Sequence, residues 1–178
     1  MITKHLSSDK RARKRQSGIG LLEVLLAVIL LSVGFLATAR MQVEGMRYSQ
    51  GAYSLSQAKF MVLDMTERMR ANRAGMRADV YKGKSTAAGT SNPGCVTGDN
   101  ACSPADIALA DLHAWSQNLH AVSGSTGFIP LLPSSASIAA GGKITYDAAE
   151  GSYRVSVQWS APVNGTDTKQ SLAVKVFP

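Results

Sequence analysis

The chain has 178 residues, enough for one modest domain and an appendage. Hydrophobic residues make up 45% and charged residues only 17%, low on charge for a soluble globular protein, which points to apolar surface meant for lipid or a partner. The formal net charge is +7, but residues 1–18 hold six basic residues (Lys4, Lys10, Arg11, Arg13, Lys14, Arg15) and Asp9. That tail accounts for +5 and leaves +2 for the rest, which argues against a uniformly basic nucleic-acid-binding domain.

From Ile19 to Ala39 the chain reads IGLLEVLLAVILLSVGFLATA, 21 residues in which Glu23 is the single charge. A helix of that length spans roughly 31 Å, enough for a bilayer core. The basic tail directly before it places residues 1–18 in the cytoplasm and everything after about residue 40 outside. A secretory signal peptide fits worse, because the run is long, carries an internal acid and continues into a helical pattern without an A-x-A-like end. Glu23 is the informative anomaly. A carboxylate near a bilayer centre costs on the order of 2.5–3.5 kcal/mol, and less near the interface. Without a cation it would protonate, since desolvation disfavours the charged form. No Lys or Arg lies within reach on its helical face, so a partner from another molecule is implied.

The basic leader, Gly18-Ile19-Gly20-Leu21-Leu22-Glu23-Val24-Leu25 and the apolar run together resemble the class III signal of type IV prepilins and pseudopilins. The resemblance implies that prepilin peptidase cuts between Gly18 and Ile19 and methylates the new amino group of Ile19. It also implies that Glu23, fifth residue of the mature chain, faces the N-terminal ammonium of a neighbouring subunit during assembly. Ile19 stands where Phe or Met is commoner, and Gly20 replaces the usual Thr or Ser. The partners implied are prepilin peptidase, the inner membrane and other minor and major pilins. The subunit would be single-pass, with a cytoplasmic N-terminus, before assembly and would sit in a pilus at the cell surface afterwards.

Beyond Arg40, the residues Tyr48, Gly51, Leu55, Ala58, Val62, Met65 and Met69 recur at helical steps, and Gly75 is a suitable stop. One helix of some fifty residues is therefore predicted, continuing to about residue 75. The methionines along it (Met41, Met46, Met61, Met65, Met69) read as core filling rather than a metal stripe. Residues 76–102 form a loop with turn chemistry. In it Cys95 and Cys102 have six residues between them, too few ligands for zinc. If the domain lies outside the cytoplasm, a disulfide closing this loop is the natural reading; two unrelated thiols are the alternative. Ser103-Pro104-Ala105-Asp106 reads as the start of a short helix over 103–121, with Ala108, Leu112, Trp115 and Leu119 on its inner face. His113 and His120 on a neighbouring face are too few for a metal site.

Period-two alternation then takes over within 136–177: Lys143 to Asp147, Tyr153-Val155-Val157-Trp159, and Leu172-Val174-Val176. Turns are predicted at Ala148 to Gly151 and Asn164 to Asp167. Three or four antiparallel strands against the long helix make an α+β arrangement, which matches the pilin fold. The expected organisation is a leader at 1–18 that is removed, an assembly helix at 19–39 and an extracytoplasmic domain at 40–178.

Glu67-Arg68-Met69-Arg70-Ala71-Asn72-Arg73 is similar to the corresponding stretch of minor pilins of the PilV kind. So are the Cys pair, the Asp111-Leu112-x-x-Trp115 helix, the Leu132-Pro133 turn and the Tyr153-to-Trp159 strand, although Ser134-Ser135 departs from a Gly common after that turn. This resemblance implies a role at the start or tip of a type IV pilus, in assembly and adhesion. A minor pseudopilin of a type II secretion system is the alternative. Nucleic acid is not expected as a partner; DNA contact would have to use Arg68, Arg70, Arg73, Arg77, Lys82 and Lys84. No nucleophile elbow, paired carboxylates or metal-ligand spacing appears, so neither an enzyme nor a cofactor is expected.

Overall fold

The computed structural model describes residues 20–88, 90–94, 101–120, 130–163 and 166–178. The chain divides into two units, Met1–Met46 and Arg47–Pro178. Helix α1, Leu21–Ala71, belongs to both. In the first unit every described residue is exposed, including the run of Leu, Val and Ile from Leu21 to Leu36.

The second unit is α+β. After α1 come a short helix α2 (Arg73–Arg77), a 3₁₀ turn (Thr86–Ala88), helix α3 (Pro104–Leu119) and strands β1 (Gly141–Asp147), β2 (Ser152–Val163) and β3 (Thr166–Val176). The strands form an antiparallel sheet in the order β1-β2-β3. The turn between β1 and β2 uses Gly151 at φ 61, a left-handed conformation that glycine adopts without a Cβ penalty. Half of the second predicted turn, Asn164 and Gly165, lies outside the described residues.

Period two decides the sheet's inner face. Ile144, Val155 and Val174 stand opposite one another across the three strands, and Val157 faces Leu172. Tyr153, Val155, Val157 and Trp159 are all buried. Against them lie Ala58, Met61, Val62, Met65 and Met69 of α1 and Ala108, Leu112, Trp115 and Leu119 of α3. Met61, Met65 and Met69 are therefore core residues. The α1 core face begins only at Ala58: Tyr48 and Leu55, though in phase with it, are exposed.

Trp115 joins the layers. Its ring is fully buried and its indole N–H donates to the Met61 carbonyl at 3.0 Å, so α3 is pinned to α1 by apolar and polar contact together. Helix α3 starts as its sequence indicates. Pro104 occupies the first turn, the Ser103 hydroxyl accepts from the Asp106 N–H, and the Asp106 carboxylate accepts from the Ser103 N–H.

The end of α1 differs from its predicted stop at Gly75. The helix ends at Ala71, because Asn72 leaves helical geometry (φ −103, ψ 60) and caps α2 by accepting from the Gly75 N–H at 3.0 Å. The Asn72 amide donates to the Tyr81 hydroxyl at 3.0 Å and to the Pro104 carbonyl at 2.8 Å. Gly75 is thus the residue over which this side chain folds, since a Cβ there would lie 2.5 Å from Asn72 Nδ2. Asn72→Ala removes the acceptor of the buried Gly75 N–H and the bonds to the Tyr81 hydroxyl and the Pro104 carbonyl; a loss of about 2–3 kcal/mol is expected in equilibrium unfolding of the full-length chain. Asn72→Asp, which keeps only the acceptor, should lie between.

Two buried phenols complete the frame. Tyr81 donates to Asp111 Oδ2 at 2.8 Å, and Tyr153 donates to the Met76 carbonyl at 2.7 Å with Asp79 Oδ1 at 3.0 Å. Burial first, then the neighbouring carboxylate, holds both pKa values above the ordinary phenol value. A folded-state pKa raised above its unfolded value contributes stability that is fully present below about pH 10 and is lost as pH rises beyond it. The melting temperature should therefore fall steeply above about pH 10, and Tyr81→Phe with Tyr153→Phe should flatten that fall.

Candidate functional site

Glu23 lies in the first turn of α1, where the partial positive charge of the helix N-terminus favours a carboxylate. The Glu23 N–H bonds the Gly20 carbonyl at 2.9 Å, so the helix is already formed at this residue. Val24, Ala27, Val28 and Leu31 share the flank on which Glu23 stands, and all are exposed. Glu23 is thus a single acid at the end of an apolar, solvent-open helix, and no ion pair engages it among the described residues. That helix is long and apolar enough to cross a membrane. Gly18 and Ile19 lie outside the described residues.

The second unit has exposed apolar residues of its own on α1. Tyr53, Phe60 and Leu63 are 60%, 67% and 50% exposed, on the side of α1 opposite Ala58, Val62 and Met65. Three large apolar side chains on the solvent face of a helix are unusual, and their steps of seven and three make one stripe. The sequence carried that signal in the heptad Met46, Tyr53, Phe60; a reading aimed at the buried face missed it.

Three of the six basic residues that could bind an anion are engaged by carboxylates. Arg68 Nε bonds both Asp64 oxygens at 3.0 Å, and its Nη1 lies 3.5 Å from Asp111. Arg70 pairs with Glu67 at 2.6 Å. Lys82 lies 4.0 Å from Asp79 and 5.0 Å from the Tyr146 ring centre. Arg73, Arg77 and Lys84 make no ion pair among the described residues. Of the six, Arg68 is the one that joins α1 to α3, while Arg70 and Lys82 pair with near neighbours in their own segments.

An open cavity of about 530 Å³ lies beside α3, floored by Ile107, Ala110 and Ala114 and rimmed by Arg68, Asp111, His113 and Gln117. Its rim groups bond to protein neighbours. His113 Nδ1 lies 2.8 Å from the Thr90 carbonyl, which requires the proton on Nδ1, and Nε2 then accepts from the Gln117 amide at 2.7 Å. His120 Nε2 meets the Thr86 hydroxyl at 2.9 Å. Both histidines clasp the 84–94 segment to α3. Cys102 is half-buried just ahead of the Ser103 cap; Cys95 lies outside the described residues.

Residues 40–113 match the family Tt1218-like, described as Type IV pilin Tt1218. The matched stretch runs from Arg40 on α1 through α2 to His113 on α3, and contains the Arg68–Asp111–Tyr81–Asn72 network. No curated protein and no solved structure matches the chain. The match covers less than half of the chain; it supports the type IV pilin family and a pilin role in general.

Proposed function

Given a type IV pilin match that begins at Arg40, we propose that this chain is a minor pilin of the PilV kind, made as a precursor in the inner membrane and assembled into a type IV pilus. Prepilin peptidase cuts between Gly18 and Ile19 and methylates the Ile19 amine. Glu23 then faces the Ile19 ammonium of a neighbouring subunit while the apolar helices bundle. The observation that carries this reading is the single carboxylate at the fifth position after Gly18, in the first turn of α1, whose apolar N-terminal part is exposed throughout. It stands outside the matched residues, so two separate parts of the chain support one role. In the second unit, the stripe of Tyr53, Phe60 and Leu63 offers other pilins a separate apolar contact. Cys95 and Cys102 close their loop as a disulfide, which oxidising conditions outside the cytoplasm favour.

Mass spectrometry of the protein recovered from native membranes or sheared pili tests the processing step. A chain beginning at methylated Ile19 is expected, with Cys95 and Cys102 joined in one peptide pair. A chain beginning at Met1, or cut near Ala39, overturns the assignment. A deletion strain that loses surface pili while retaining type II secretion separates a pilus subunit from a pseudopilin.

A further inference from the structure

Strand β3 ends the sheet, so only one of its edges is paired. The opposite end of the sheet is closed, because the Ile144 N–H donates to the Lys84 carbonyl at 2.8 Å and Ser85 bridges Lys143. Among the described residues nothing pairs with the outer edge of β3, which is 11 residues long. An edge of this length presents a row of unpaired N–H and C=O groups, a template for another strand. On its inner side Leu172 and Val174 are only partly buried, although their neighbours Val157 and Val155 on β2 are fully covered. The edge thus has both open backbone groups and incompletely covered apolar side chains.

The outer side of β3 carries Asp167, Lys169, Ser171, Ala173 and Lys175, all exposed. Lysines on an edge strand ordinarily discourage pairing. Their positions here discourage some registers and favour one that adds opposite-charge pairs at both ends. When β3 meets an identical antiparallel strand centred on Leu172, Lys169 faces Lys175, a like-charge pair. Centred on Ser171, Asp167 faces Lys175 at both ends and Lys169 faces Ala173. Registers of the other parity set inner side chains beside outer ones. In the Ser171-centred register the two Leu172 side chains become diagonal neighbours, about 7–8 Å apart and within contact reach.

We propose that the outer edge of β3 docks the β3 strand of a second copy of this chain, antiparallel and centred on Ser171. Asp167, which makes no ion pair among the described residues, gains Lys175 of the second copy. That lysine also bonds Glu150 of its own chain, so it lies between two carboxylates. The pairing does not depend on incorporation into a filament.

Cysteine cross-linking of the full-length chain in the membranes of expressing cells tests this, with copper phenanthroline as oxidant. At the centre of the pairing, Ser171 and its mate have Cα atoms about 4.5–5.5 Å apart, within disulfide reach. Ala173 and its mate are four residues apart along the strands, about 14 Å. Ser171→Cys is expected to shift from monomer to a reducible dimer, while Ala173→Cys stays at the background of the unsubstituted chain. Asp167→Lys should abolish the Ser171→Cys dimer, and adding Lys175→Asp should restore it. No dimer from Ser171→Cys, equal dimer from both positions, or adducts only with a different pilin overturns the proposal.

Discussion

Gly142→Ala is expected to cost the Arg47–Pro178 unit about 3 kcal/mol, a large part of the roughly 5–15 kcal/mol by which a domain is stable. The residue is buried in β1 directly against the Trp115 ring, and a Cβ there would lie 2.2 Å from Cη2 and 2.4 Å from Cζ3. Relief requires the indole to move. The indole is fully buried, packed between α1 and the sheet and held by its bond to the Met61 carbonyl. Neither the ring nor the strand can retreat without breaking that bond or the pairing of Gly142 with Val157. Denaturant unfolding of the full-length chain in detergent, read by tryptophan fluorescence, measures the loss. Trp115→Leu alone should also destabilise, because a large buried ring is truncated and a cavity remains. Combined with Gly142→Ala it should cost less than the sum of the two single changes, since the smaller side chain leaves room for the new methyl group. Simple additivity of the two would show that the close approach of Gly142 to Trp115 is not what limits this position.

Glu23→Ala should leave membrane insertion intact and reduce incorporation into filaments on the order of a hundredfold, the equivalent of about 3 kcal/mol for one broken buried ion pair. Insertion is spared because alanine removes a group that is costly in hydrocarbon. On the proposed assembly, incorporation suffers because the Ile19 ammonium of the neighbour would then enter an apolar bundle without a counter-charge. Glu23→Gln keeps the shape but not the charge and should fail nearly as badly. Glu23→Asp keeps the charge on a shorter side chain and should recover part of the incorporation. Quantitative immunoblots of sheared pili against membrane fractions distinguish these cases. Equal incorporation of the alanine and wild-type subunits would remove the assembly role from Glu23.

The parts of this protein readable from sequence are those governed by near neighbours in the chain. A run of apolar residues with one acid needs no tertiary contact to define an exposed helix, so Glu23 and its surroundings were legible. Ser103-Pro104-Ala105-Asp106 closes a capping box within four residues, and alternation of Tyr153, Val155, Val157 and Trp159 selects the buried side of β2 by the pleat alone. The candidate assembly surface was only half legible. Glu23 stood out, while Tyr53, Phe60 and Leu63 emerged once the sheet and α3 had taken the opposite face of α1.

Length, periodicity and the position of one carboxylate determined the long helix, the α+β class and the candidate assembly end of the chain, because these depend on steps of two, three and four residues. Tertiary structure alone decided where α1 stops, which glycine packs against Trp115 and that Arg68 also meets α3. Asn72 breaks the helix because Tyr81 and Pro104 are there to receive its amide. Gly142 must lack a side chain because Trp115 reaches it. Arg68 is neutralised by Asp111 from another helix as well as by its own neighbour Asp64. Pro104, Trp115 and Asp111 are distant in sequence from the residues they meet, and a packed interior leaves no room for a local pattern to announce what will stand beside it.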